Sequence, residues 1–152
     1  MKTQKLILEQ VDRKIDQLRK VEELTIPSSG WVKAIRQSLG MSLRQLGLKL
    51  GITAQSVKEI EEREINETIS VKVLKQFAHS LNMKFVYGFI PQDKSLEAMI
   101  ESKAIEIATS IVSRTSISMK LEDQENSAER IKKAIDEKAS EIKLEMPKYL
   151  WD

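Results

Sequence analysis

The chain has 152 residues, 41 % of them hydrophobic and 32 % charged, with a formal net charge of +2. That length suits one domain with appendages or two very small ones. The absence of cysteine excludes a disulfide scaffold, a thiol nucleophile and a cysteine-ligated metal site, and it fits a reducing compartment.

No apolar run approaches a membrane-spanning length. The opening MKTQKLILEQVDRK lacks the continuous apolar stretch of a secretory signal, so a cytoplasmic chain without a membrane partner is expected. The charge is distributed unevenly. Residues 1–91 hold 15 Lys and Arg against 10 Asp and Glu, net +5, whereas residues 92–152 hold 10 against 13, net −3. The basic excess sits in the first half.

Residues 2–24 read as a first helix, with Leu8, Val11, Ile15 and Leu18 recurring at helical spacing. Pro27 and Ser28-Ser29-Gly30 end it with turn chemistry. A second helix is expected over 31–39, with Trp31, Val32, Ile35 and Leu39 on its apolar face and Gly40 closing it. Ser42 is a good N-cap for a helix over 43–50, with Gln45 as its capping-box partner. Gly51 stands where a helix C-terminus takes a left-handed residue, and Ile52 plugs the turn. Thr53 caps the next helix, over about 54–63. A loop at 66–70 leads to a helix over 71–81, with Val73, Leu74, Phe77, Ala78 and Leu81 facing in and Asn82 ending it.

MKFVYGFIP at 83–91 is short and rich in aromatic and β-branched residues, which predicts one strand. A lone strand in a helical domain presents an unpaired edge, and the same strand from a second copy would cover it. This makes Phe85, Val86, Tyr87 and Phe89 the expected homodimer contacts. Residues 95–112 then read as a helix, 113–124 as a polar, extended link, and 126–145 as a last helix with Asn126 and Glu129 as candidate cap residues. The terminal Tyr149, Leu150 and Trp151 either anchor a partner or fold back onto the domain.

Spacing decides the reading of SLRQLGLKLGITAQSVKEIE at 42–61. Leu46, Leu50, Ile52, Val57 and Ile60 point inward, which is how a helix–turn–helix packs. The second helix then presents Ala54, Gln55, Ser56 and Glu59 for base reading. Gln pairs two hydrogen bonds with an adenine edge, Ser bonds either strand, and Ala offers a methyl to thymine. Arg36, Ser42, Arg44, Lys49, Thr53, Lys58 and Arg63 are the candidate phosphate contacts. The acidic cluster Glu59, Glu61, Glu62 and Glu64 is expected close to where phosphates would pass. A protein-binding module that no longer reads DNA is the competing reading. No phosphate loop, metal spacing or nucleophile–base pair stands in the sequence, and the single His79 has no acid or hydroxyl at motif spacing, so neither a cofactor nor catalysis is expected.

MSLRQLGLKLGITAQSVKEIEE, followed by SVKVLKQFAHSLNM, resembles the Cro/C1-type (Xre) helix–turn–helix family over about residues 31–83. The resemblance implies a mainly α, lambda-repressor-like bundle. Two departures stand out: Leu43 follows the Ser cap where the family often has Gln, and Glu61-Glu62-Arg63 replaces the usual Glu-x-Gly. A longer likeness, carried by VDRKID, PSSGWVKAIRQSLGMS and KFVYGFIP, is to the family called mobile mystery protein A. That resemblance implies an antitoxin-like regulator partnered by a Fic/Doc-domain protein. The Ser/Thr-x-x-x-Glu-Gly/Asn inhibitory pattern common among Fic inhibitors is absent: the one Glu-Asn pair, Glu125-Asn126, has Leu121 four residues before its glutamate. The expected organisation is an N-terminal helix at 1–28 covering the core, a helix–turn–helix domain with a terminal strand at 29–91, and a helical extension at 92–152 for dimer or partner binding.

Overall fold

The computed structural model describes the backbone of residues 2–121 and 128–152 and the side chains of 2–115 and 128–152. Seven α-helices follow in order among the described residues: α1 (Lys2–Leu18), α2 (Trp31–Ser38), α3 (Leu43–Leu50), α4 (Ala54–Ile65), α5 (Val71–Ser80), α6 (Leu96–Leu121) and α7 (Ala128–Glu145). Short 3-10 turns cover Arg19–Val21 and Lys148–Trp151. The chain forms two compact bodies, residues 23–87 and residues 1–22 with 88–152. The first helix thus joins the C-terminal helices in one body, where a cover for the helix–turn–helix core was expected. No described helix is long and apolar enough to cross a membrane.

The body at 23–87 packs α2 to α5 around Val32, Leu46, Val57 and Phe77, with Ile35, Leu50, Ile52, Ile60, Leu74 and Leu81 against them. Each helix start is fixed by a side chain that accepts an orphan backbone N–H. Ser42 and Gln45 form the full capping box of α3, Thr53 accepts from the Ser56 amide on α4, and Ser70 accepts from the Val73 amide on α5. Gly51 closes α3 at φ 71°, and Asn82 follows α5 at φ 55°, both left-handed. The start of α2 is held differently. Glu64, at the far end of α4, accepts from the Trp31 and Val32 amides at 2.7 and 2.8 Å. Gly30 has φ 83°, a conformation that favours glycine, and a Cβ there would lie 2.9 Å from Glu64 Oε1 and push on the carboxylate that caps α2.

Residues 83–90 form no strand; among the described residues there is none. A strand is defined by its ladder, and within one chain nothing pairs with this segment. Val86, Tyr87 and Phe89 are exposed, Phe89 at 83 %, while Phe85 is half-buried and its ring stacks on Tyr87 at 5.7 Å.

The other body is built on an α6–α7 hairpin around Ile100, Ala104, Ala108, Ala139, Ile142 and Leu150, with Leu8 of α1 packed against it. Asp12 of α1 accepts from the Leu96 and Glu97 amides at 2.7 and 3.1 Å, capping α6 from 84 and 85 residues away. The link expected at 113–124 is instead helical to Leu121. It holds no Gly or Pro, and the Thr115 hydroxyl folds back onto the helix, donating to the Ile111 carbonyl at 3.2 Å, as Thr109 earlier in α6 does to Ile105. The candidate cap Asn126 lies outside the described residues. Leu150, offered as a partner contact, is fully buried in this core, whereas Tyr149 and Trp151 remain exposed. An apolar side chain with core space beside it folds back, because burying it removes roughly 1.5–3 kcal/mol of unfavourable hydration.

Candidate nucleic-acid interface

The core residues of α3 and α4 fix which side chains α4 turns outward. Leu46 and Val57 are fully buried, and Gly47 lets the turn close against α3. A Cβ on Gly47 would sit 2.6 Å from the Ile52 carbonyl oxygen, so only a residue without a side chain fits without a shift. With Val57 and Glu61 turned inward, the opening turns of α4 show Gln55, Lys58 and Glu59 exposed and Ala54 and Ser56 half-buried. The four expected base-reading residues therefore share one end of one helix.

Among the expected phosphate contacts, Arg44, Lys49, Lys58 and Arg63 are exposed. Ser42 Oγ accepts from the Gln45 amide at 3.1 Å, which leaves its own hydrogen to donate. Thr53 is more committed: its hydroxyl accepts from the Ser56 amide at 3.1 Å and donates to Ser56 Oγ at 2.9 Å. Arg36 does not belong to this set. Its guanidinium turns inward and donates to Glu61 at 2.8 and 2.9 Å and to the Met41 carbonyl at 2.9 Å. Only 12 % of its side chain and 5 % of that of Glu61 are exposed. A buried carboxylate on α4 needs a cation, and Arg36 is the one placed to serve it.

The same contact corrects the expected acidic cluster. Glu61 is neutralised by Arg36 in the core and Glu64 caps α2, so two of the four acids are engaged in holding the fold. Glu59 and Glu62 alone remain exposed. The charge facing outward from α4 is thereby less negative than its sequence.

The structure adds residues that spacing did not single out. A cleft of about 1040 Å³ runs beside α4, lined by Lys49 of α3, Ser56, Glu59 and Arg63 of α4, and Lys72, Lys75 and His79 of α5. Lys72 and Lys75 are not among the sequence candidates, because the sequence does not show which side of α5 faces α4. Trp31 is two-fifths exposed, and His79 is exposed on α5.

Residues 32–87 match the family model described as helix-turn-helix. This segment is a helix-turn-helix domain of the Xre type. No curated protein and no solved structure matches the chain. The matched residues cover α2 from Val32 onward and all of α3 to α5, and lie within the body at 23–87.

Proposed function

We propose that the chain is a dimeric, sequence-specific DNA-binding transcriptional regulator. The observation that carries this reading is the start of α4 in the helix-turn-helix domain, with Gln55 and Glu59 exposed and Ala54 and Ser56 beside them. Inserted in a major groove, Gln55 pairs with an adenine edge, Glu59 accepts from a cytosine amino group, and Ala54 meets a thymine methyl. Ser42, Arg44, Lys49, Lys58 and Arg63 hold the phosphates on either side, and Thr53 joins them through its backbone or after its hydroxyl turns. The segment with Phe85, Val86, Tyr87 and Phe89 joins two copies, its exposed apolar side chains supporting that role. Two such domains read half-sites one helical turn apart, hence a palindromic operator.

The competing reading, a protein-binding module that does not read DNA, draws its support from the acidic cluster and from the acidic tail, net −3 over residues 92–152. With Glu61 and Glu64 engaged inside the domain, the cluster's part of that support falls to Glu59 and Glu62. The exposed Tyr149 and Trp151 support a partner-binding role for the C-terminal end. Together with the likeness of VDRKID, GWVKAIRQSLGMS and KFVYGFIP to mobile mystery protein A, they support an autorepressor with an antitoxin-like relation to a Fic/Doc-domain partner.

The test is fluorescence anisotropy on the chain's own upstream DNA and on scrambled DNA, with wild type and Gln55→Ala. Specific reading gives a wild-type preference of about a thousandfold or more. The variant then weakens operator binding by about 1–3 kcal/mol and leaves scrambled DNA unaffected. Equal affinity of wild type for both DNAs would refute the reading.

A further inference from the structure

The cleft beside α4 is the feature that base reading leaves unassigned. Among its described lining residues, four are cationic side chains, Lys49, Arg63, Lys72 and Lys75, and one is an acid, Glu59. Its floor is apolar, with Leu50, Ile52 and Ile60 half-buried. It is a wide, open trough and lacks the enclosure that lets a pocket bury most of a small ligand. Its walls are fixed: Leu50, Ile52 and Ile60 also pack against the domain core, and Ser70 caps α5 just before Lys72.

Two further observations choose the occupant. Ser56 and Glu59 line the cleft and also belong to the reading end of α4, so whatever α4 reads runs on into the trough. Lys72 and Lys75, three residues apart on α5, stand on the same side of that helix and form one wall. The Lys75 ammonium lies 5.9 Å from the centre of the Tyr87 ring, an aromatic support that orients the lysine at the rim without neutralising it. A linear polyanion with a phosphate at every step matches an open trough of cations, and its sugars match lysine stems and an apolar floor.

We propose that the trough between α4 and α5 seats the sugar–phosphate backbone of the strand flanking the groove that α4 enters, with Lys72 and Lys75 as phosphate contacts. The assignment rests on the reading of α4 as a DNA-reading helix and extends its footprint to α5. Because phosphates carry no sequence, these lysines add affinity and salt dependence and leave the choice of operator to Gln55 and its neighbours.

The experiment compares the full-length wild type with Lys72→Gln/Lys75→Gln, and with Lys132→Gln/Lys133→Gln on exposed positions of α7 as a control for lost charge. Anisotropy is measured on an operator selected from a random duplex pool and on random duplex, across a salt series. Circular dichroism confirms that each variant is folded. Removing two phosphate contacts lowers the magnitude of the slope of log K against log salt by about 1.8 on both DNAs, at about 0.9 per contact. The preference for the operator is unchanged, and the α7 control keeps the wild-type slope. A double variant with the wild-type slope, or one that loses only operator preference, overturns the assignment and leaves α4 as a DNA reader. A wild-type chain that binds neither DNA refutes the reading of α4 itself, and the trough assignment falls with it.

Discussion

Removing Glu61 tests both the packing of the helix-turn-helix domain and the reassignment of Arg36. In Glu61→Leu, the Arg36 guanidinium keeps its bond to the Met41 carbonyl and loses those to the carboxylate, while only 12 % of the side chain reaches solvent. Breaking one member of such a pair leaves a buried charge uncompensated and costs about 3–5 kcal/mol. A body the size of residues 23–87 has a total stability of roughly 3–10 kcal/mol at 0.05–0.15 kcal/mol per residue, so the variant unfolds most of the way toward the midpoint or beyond. Arg36→Met strands the Glu61 carboxylate and has a similar effect. The double variant Arg36→Met/Glu61→Leu, apolar on both sides, recovers to within about 1 kcal/mol of wild type. Urea unfolding followed by tryptophan fluorescence measures this in a Trp151→Phe background, where Trp31 is the remaining tryptophan and reports on this body. Single variants that lose less than about 1 kcal/mol, or a double variant as unstable as the two losses added, would refute the buried-pair account. The same double variant keeps the wild-type salt slope on DNA, because Arg36 faces the core and not the phosphates.

Other consequences are independent of that pair. Gly47→Val loses stability by about 1–3 kcal/mol in urea melts, although helix propensity alone favours valine over glycine, because the Ile52 carbonyl occupies the space. Asp12→Ala frees the Leu96 and Glu97 amides and costs about 1–2 kcal/mol, read as faster hydrogen exchange at those two residues with the rest of α6 unchanged. Val86→Asp/Phe89→Asp converts a dimer to a monomer in analytical ultracentrifugation and reduces operator affinity more than affinity for a single half-site. The Lys143 ammonium is held above its ordinary value of 10.5, chiefly by the hydrogen bond it donates to Glu97, against partial burial and with the charge of Glu101 helping. A raised folded-state value means that this contribution is complete below about pH 10.5 and is lost as pH rises through the folded value. Thermal melts of wild type and Lys143→Gln therefore converge as pH climbs past 10.5, and a gap that widens there would contradict the sign.

The helix-turn-helix was legible because its signals are local. Ser42 with Gln45, Gly51 at φ 71° and Thr53 each act on backbone within a few residues, and Leu46, Val57 and Phe77 follow from helical spacing. Local chemistry also placed Gln55 at the exposed start of α4. What the sequence left open were contacts between residues far apart in the chain. Glu64 caps a helix 32 and 33 residues earlier, and Asp12 caps one 84 and 85 residues later. A carboxylate reads as surface charge until the fold shows what lies opposite it. For that reason spacing puts Arg36 on the phosphate face and Glu61 and Glu64 in an acidic patch, and only the fold turns them inward. Leu150 carried the same ambiguity, since a terminal apolar residue packs inward only if a core is there to receive it. The strand at 83–91 depended on a partner edge that one chain does not supply. Sequence determined which helices form and where α3, α4 and α5 begin; the tertiary structure decided how far α6 runs and which charges are inside, because burial is a property of neighbours and not of spacing.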